Sequence, residues 1–174
     1  MLRNAILEDD AELFKDYLGM ATIPAVLKNA AKKFPDNECF GTRRKEGAEY
    51  KEYVWTSYQT VYERSHAFAK NLFKRGLCPS KDFEDGTFKF IALYSKNREE
   101  WCQVDLGSSL CGVTVVTLYD TLGKSSIEFI MEQTQLETVA LSADKLKSML
   151  AMKQEGLINS VKAFIYFDQA TEED

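Results

Sequence analysis

The segment Asp120-Thr121-Leu122-Gly123 follows an apolar, β-branched run and precedes a helical pattern. Carboxylate, hydroxyl and glycine at the C-terminal end of a strand are the groups that an open α/β sheet presents to a ligand. A plain strand-to-helix turn capped by Ser125 or Ser126 accounts for the same residues. Glu99-Glu100 has the composition of an acid/base pair, but neighbours on a helix point about 100° apart. Acids that favour the positive end of a helix dipole explain them better. His66 is the single histidine. It flanks the apolar face of a helical pattern and reads as a partly exposed helix residue rather than a base. A histidine-based zinc site would have to recruit scattered cysteines or carboxylates. GSSLCG, residues 107–112, imitates the first half of a phosphate loop, yet Val113-Thr114 stands where Lys-Ser/Thr is required, and a strand follows instead of a helix. Its small residues fit close helix–sheet packing. From the residues alone, no catalytic or metal-binding apparatus is visible.

The elements that must position these groups are legible around residues 88–141. FKFIALY reads as a strand, and Asn97 with Glu100 has the spacing of a helix cap and its reciprocal acid. A helix, the strand VTVVTLY, the polar loop, a second helix and the strand TVALS follow. Strand, helix, strand, helix, strand at this spacing predicts parallel β-α-β units.

Upstream, residues 4–18 form an amphipathic but weakly specified segment, and residues 1–21 are taken as an N-terminal arm. Thr22 caps a helix that carries Pro24 in its first turn and points Val26, Leu27, Ala30, Ala31 and Phe34 at a core. Residues 38–43 and 50–55 predict two strands joined by Lys45-Glu46-Gly47. Thr56-Ser57-Tyr58-Gln59 matches a capping box. The helix after it repeats Tyr58, Val61, Tyr62, Ser65, Phe68, Ala69, Leu72 and Phe73 at threes and fours, and Gly76 stops it. Residues 78–86 read as a loop. Downstream, residues 143–153 form a helix, and AFIYFD, residues 163–168, a further strand. The aromatic residues Trp55, Tyr58, Tyr62, Phe68, Phe73 and Trp101 stand at core spacings, which favours packing over base stacking.

With 22 basic against 27 acidic residues the net charge is −5, which argues against a nucleic-acid surface. The four cysteines (Cys39, Cys78, Cys102, Cys111) show no metal or disulfide spacing and predict reduced thiols. The acidic opening is unlike a signal peptide, and the most apolar stretch, residues 106–118, is too short to span a bilayer. A cytoplasmic protein is expected.

The motifs NREEW after a strand, TLYDTLG and SSIEFI resemble the N-terminal part of eukaryotic long-chain acyl-CoA synthetases, which are adenylate-forming, AMP-binding ligases. The resemblance runs back through YVWTSYQTVYERSHAFAKNLFKRGL and FPDNECFGTR and forward to AFIYFD, covering roughly residues 22–168. It implies a layered α/β fold, with a mostly parallel sheet flanked by helices and a small β-hairpin near the N-terminus. Such a fold would be an incomplete N-terminal subdomain over residues 22–174. It also implies a parent enzyme that joins a long-chain fatty acid to CoA with ATP and Mg through an acyl-adenylate, and that associates peripherally with an endomembrane through parts beyond this chain. The family's phosphate loop ending Pro-Lys-Gly, its ribose-binding aspartate and its C-terminal lid have no counterpart here. The chain alone is therefore expected to bind no cofactor, to be inactive, and to partner with the remainder of the ligase. In some relatives a basic segment after the strand equivalent to TVALS meets the phosphates of CoA. By position, Lys145 and Lys147 would make that contact, with exposed helix lysines as the alternative. Two other readings stay open: a free-standing, non-catalytic interaction module derived from such a ligase, and a small flavodoxin-like domain holding phosphate at residues 120–126.

Overall fold

The computed structural model describes residues 19–168. The amphipathic segment 4–18, and with it most of the expected arm, lies outside the described residues. Among the described residues, the chain begins with α1 (Ile23–Lys33), β1 (Glu38–Glu46), β2 (Glu49–Ser57) and α2 (Tyr58–Lys74). The short strands β3 (Lys81–Phe83) and β4 (Gly86–Phe88) come next, and then β5 (Phe90–Tyr94), α3 (Glu99–Leu110), β6 (Thr114–Thr117), α4 (Lys124–Thr134), β7 (Thr138–Leu141), α5 (Ala143–Gln154) and β8 (Ala163–Tyr166).

Four strands form one parallel sheet in the order β6-β5-β7-β8. The chain leaves β5 for β6 on one side, crosses back to β7 on the other, and continues outward to β8. Parallel crossovers are right-handed, so reversing direction sends the connecting helices to opposite faces. The packing agrees. Ile91, Leu93 and Ala140 face a layer that holds Leu72 of α2 and Val104 of α3. Ala92, Tyr94, Val139 and Leu141 face Ile127 and Met131 of α4 and Met149 and Met152 of α5. Successive strand residues serve opposite layers, as the two-residue period requires. Both central strands are therefore apolar on both sides, the pattern of a covered parallel sheet. The expected α/β fold is present.

Local signals set most boundaries. Thr22 Oγ1 accepts from the Ala25 amide at 3.3 Å and starts α1. Gly76, at φ +63, ends α2, where the Leu77 amide reaches back to the Leu72 carbonyl at 3.0 Å. Several expected caps moved. Ser57, not Thr56, caps α2, accepting from the Thr60 amide at 3.3 Å. Thr56 instead donates to Glu99 at 3.0 Å. α3 starts after Arg98, not Asn97, because Arg98 is drawn into ion pairs with Glu100 and Asp168. α4 starts after Gly123 with no side-chain cap from Ser125 or Ser126, which lie inside its first turn.

The run FKFIALY is interrupted at Lys89. Phe88 belongs to a β3–β4 hairpin in the stretch expected to be a loop, and Phe83, Phe88 and Phe90 cluster there with ring centroids 5.8–6.1 Å apart. Strands of three residues give too little alternation to read. The first hairpin is longer than expected, with Glu46 paired to Glu49 across a two-residue turn at Gly47-Ala48. Some expected core residues are exposed, namely Val26, Phe34, Trp55 and Phe73. On α2 the buried stripe is Val61, Ser65, Ala69 and Leu72, and Phe73 sits about 100° round the helix from Leu72.

The small residues of GSSLCG bring two helices together rather than a helix and the sheet. A Cβ on Gly107 would lie 2.8 Å from both the Ser65 carbonyl oxygen and Phe68 Cδ1 of α2. Glu137, before β7, accepts from Lys81 of β3 and pairs with Lys162 before β8 at 2.9 Å. The hydrogen bond from Lys81, then that from Lys162, hold its carboxyl below the usual range against the opposing effect of burial.

Two outcomes follow for stability. Gly107→Val should lower it by about 1–3 kcal/mol through overpacking against backbone, read as a lower urea midpoint; an unchanged midpoint contradicts the close approach. The Glu137 contribution is fully present above the unfolded glutamate value of about 4.3 and is lost as pH falls through the depressed folded value. The stability gap between the unsubstituted chain and Glu137→Gln should therefore close on acidification below pH ~4. A gap constant from neutral pH to pH ~3 would count against the double ion pair.

Candidate functional site at the C-terminal edge of the sheet

The strand order β6-β5-β7-β8 has its direction change between β5 and β7, and ligands of open α/β sheets bind outside the carboxyl ends of strands at such a point. Four loops meet there. A cleft of about 690 Å³ is lined by Ser95, Lys96, Asn97 and Trp101 after β5 and by residues 117–121 around the end of β6. Asp120 and Thr121, singled out in the sequence, are thus on the wall of a cleft.

Beside it runs a continuous polar network. Lys145 Nζ meets Asp120 Oδ1 at 2.7 Å and Asp144 Oδ2 at 3.0 Å, and lies 5.3 Å from the centre of the Tyr94 ring. Ser142 Oγ donates to Asp144 Oδ1 at 2.6 Å. Asp168, after β8, accepts from the Ala143 amide at 2.8 Å through Oδ2 and from Arg98 Nη1 at 2.9 Å through Oδ1. Arg98 Nε donates to Glu100 at 2.7 Å, and its guanidinium sits 5.6 Å from the Phe167 ring centre. The first amide of α5 is therefore capped by a carboxylate 25 residues away, where the helix dipole favours a negative charge.

The protonation shifts follow from these contacts. The hydrogen bond to Asp120 raises Lys145 above the ordinary lysine value, opposed by burial and helped by Asp144. The Ser142 hydroxyl leads in lowering Asp144, with Lys145 adding to it. Burial pushes Glu100 upward, but the bond from Arg98 and the helix-end amide outweigh it, and the net shift is down. Arg98 is raised chiefly by Glu100, with Asp168 adding to it against burial. Asp120, Asp144, Asp168 and Glu100 are each matched by Lys145 or Arg98, while Lys96 on the cleft wall has no ion pair among the described residues. The matched groups form an ionic clasp across the ends of β5, β6, β7 and β8.

Glu99 and Glu100 do not act as a pair. Glu99 turns toward the first hairpin, accepting from Arg64 at 2.8 Å, Gln103 at 2.7 Å, Thr56 at 3.0 Å and Thr42 at 3.3 Å. His66 is exposed on α2, edge-on to Tyr62 with centroids 4.6 Å apart. All four cysteines are free. Burial pushes Cys78 up to about 11, so at neutral pH it is a packing thiol, not a nucleophile. Among the described residues no group of three or more His, Cys, Asp or Glu could hold a metal ion.

Lys145 and Lys147, expected as CoA-phosphate contacts, do not converge. Lys145 is largely buried by its two carboxylates, so a phosphate would have to displace Asp120 or Asp144 to reach it. Lys147 is exposed two residues on, about 200° round α5. At this edge the carboxylates are likewise answered by Lys145 or Arg98, so the donor set does not fit a magnesium-bound triphosphate by itself. Arg98 and Asp168 were not singled out in sequence. A charged residue in the loop after each of two parallel strands, four residues beyond β5 and two beyond β8, was the available signal, but only the fold brings them together.

A four-stranded parallel sheet of this order, covered by helices on both faces, defines an α/β scaffold. The model of the AMP-binding enzyme family matches residues 27–174, and the chain belongs to that family. Among curated proteins it is similar to long-chain-fatty-acid–CoA ligase 1 of Homo sapiens, 27% identical over 95% of this chain. It is also similar to fatty acyl-CoA synthetase B of Dictyostelium discoideum, 28% identical over 98% of this chain. The chain spans 22% and 24% of the length of those relatives. Among solved structures it superposes on the adenylation domain of a carboxylate reductase from Mycobacterium chelonae with a TM-score of 0.72. The identity there is 21%, with 89% of this chain and 24% of that one covered. The A-PCP didomain of a carboxylic acid reductase from Segniliparus rugosus, in complex with AMP, gives 0.70 at 21% identity, covering 86% of this chain and 21% of that one.

Proposed function

We propose that residues 22–174 form the N-terminal α/β portion of a long-chain fatty acid–CoA ligase. In that reaction ATP and a fatty acid give an acyl-adenylate and pyrophosphate, and CoA then takes the acyl group and releases AMP. Similarity to long-chain ligases along nearly the whole chain carries the reading. The contribution of this portion is positional. Its ionic clasp holds the loops after β5, β6, β7 and β8 in a fixed relation, and catalysis by positioning tolerates little displacement. Electrostatic stabilisation of a departing pyrophosphate needs cationic donors converging on one point, and the mutual pairing at this edge supports their supply by the rest of the ligase.

The test is ATP–pyrophosphate exchange dependent on a long-chain fatty acid. The full-length enzyme that contains this chain should catalyse it, and the purified 174-residue chain should not. Exchange by the chain alone would overturn the scaffold role; no fatty-acid dependence in the full-length enzyme would overturn the ligase reading. For CoA, the proposed contacts are Lys145 and Lys147. Replacing both with alanine in the full-length enzyme should raise the apparent KM for CoA about tenfold, the worth of one charge-assisted hydrogen bond. An unchanged KM removes both lysines from the site.

A further inference from the structure

The β1–β2 hairpin carries a surface that the ligase reading leaves unused. Its register sets Gly41 opposite Trp55, Arg43 opposite Tyr53 and Lys45 opposite Tyr50, and directly paired residues share one face of a hairpin. The Trp55 ring lies over Gly41, where an added Cβ would meet it at 2.8 Å. Tyr53 stacks on Trp55 with centroids 5.6 Å apart and 29° between planes. The Arg43 guanidinium lies 5.5 Å from the Tyr50 ring centre and 5.8 Å from that of Tyr53, and Lys45 Nζ lies 5.8 Å from that of Tyr50. Arg43 is held in place by the carbonyls of Lys51 at 2.9 Å and Tyr50 at 3.0 Å. Tyr50, Tyr53 and Trp55 nevertheless stay 59%, 55% and 48% exposed.

The charges are sorted as well. The pairs Gly41–Trp55, Arg43–Tyr53 and Lys45–Tyr50 include two cations and no carboxylate; the next pair toward α2 on this face is Glu38 with Ser57. Glu46 and Glu49, at the hairpin tip, are answered by Lys51 at 3.7 and 3.5 Å. Thr42 and Thr56, on the other face, turn inward to Glu99. What remains outward is a rigid, preordered layer of three amphipathic rings interleaved with cations.

We propose that this face seats peripherally on the headgroup layer of an anionic membrane. Indole and phenol rings settle at the level where one end is apolar and the other wet. Arg and Lys beside them keep their stems against the rings and their charges at lipid phosphates. An excess of cations over carboxylates on the face complements an anionic leaflet. No helix among the described residues is long and apolar enough to cross a membrane, so the contact is a surface one. The inference stands on the hairpin alone, and its failure would leave the proposed function untouched.

The experiment uses the full 174-residue chain with Trp101→Phe, which leaves Trp55 as the single tryptophan reporter. It is mixed with phosphatidylcholine vesicles with or without phosphatidylserine. Binding should require phosphatidylserine and should shift Trp55 emission to shorter wavelength. Tyr50→Ser and Tyr53→Ser should each weaken binding about tenfold or more, from lost aromatic burial. Lys45→Gln should weaken it about fivefold, the worth of one cation near such a surface. Circular dichroism matching the parent chain shows that these exposed substitutions leave the fold in place. Absence of binding overturns the proposal. So does binding without a change at Trp55, which would assign adhesion to another surface. Trp55 quenching by a single-stranded RNA oligonucleotide, with no response to vesicles, would replace the membrane by a nucleic acid.

Discussion

Burial of β5 and β7 on both faces is the constraint on which the rest of this structure depends. Ile91, Ala92 and Leu93 in one strand and Val139, Ala140 and Leu141 in the other are removed from water. Their amides can be satisfied only by a ladder, and their side chains only by two helical layers. Right-handed crossovers then leave little choice. The step from β5 to β6 places α3 on one face, and the reversed steps place α4 and α5 on the other. The cleft opens beside that reversal, between the loops that follow β5 and β6.

At that crevice the chain uses charge to hold backbone. Asp168 arrives from the edge strand and caps α5, while Arg98 binds it from the loop that starts α3. Lys145 ties the β6 loop to α5 through Asp120. The Arg98–Asp168 and Asp120–Lys145 contacts link the ends of strands that share no hydrogen-bond ladder, and part-burial makes them stronger than surface pairs of the same length. The charges position loops. The chain superposes on adenylation domains over most of its own length and over about a quarter or less of theirs.

The first hairpin is built on a different logic. It is attached through Glu99, whose carboxylate gathers Arg64, Gln103, Thr56 and Thr42, and it contributes little to the apolar core. A two-stranded ribbon is marginal on its own. Ring stacking, cation–π contacts and a tryptophan covering Gly41 supply the rigidity that burial does not. An exposed surface so ordered can serve a contact, and its aromatic and cationic residues are suited to a headgroup layer.

Much of this was legible in the sequence. The continuous apolar runs FIALY and TVAL, the three-and-four spacing of Val61, Ser65, Ala69 and Leu72, and Gly76 as a stop are local consequences of strand and helix geometry, and such features need no partner to be read. NREEW and TLYDTLG were enough to point to the ligase family. What tertiary structure alone decided were choices made between distant residues. Thr56 gave up its capping role to bind Glu99, Arg98 displaced Asn97 as the helix start because Asp168 lay 70 residues away, and Trp55 and Phe73 turned to solvent although their spacing suited a core. The physical reason is one of range. Periodicity and capping act over a few residues along the chain, whereas ion pairing and exposure depend on which segments the sheet order brings side by side.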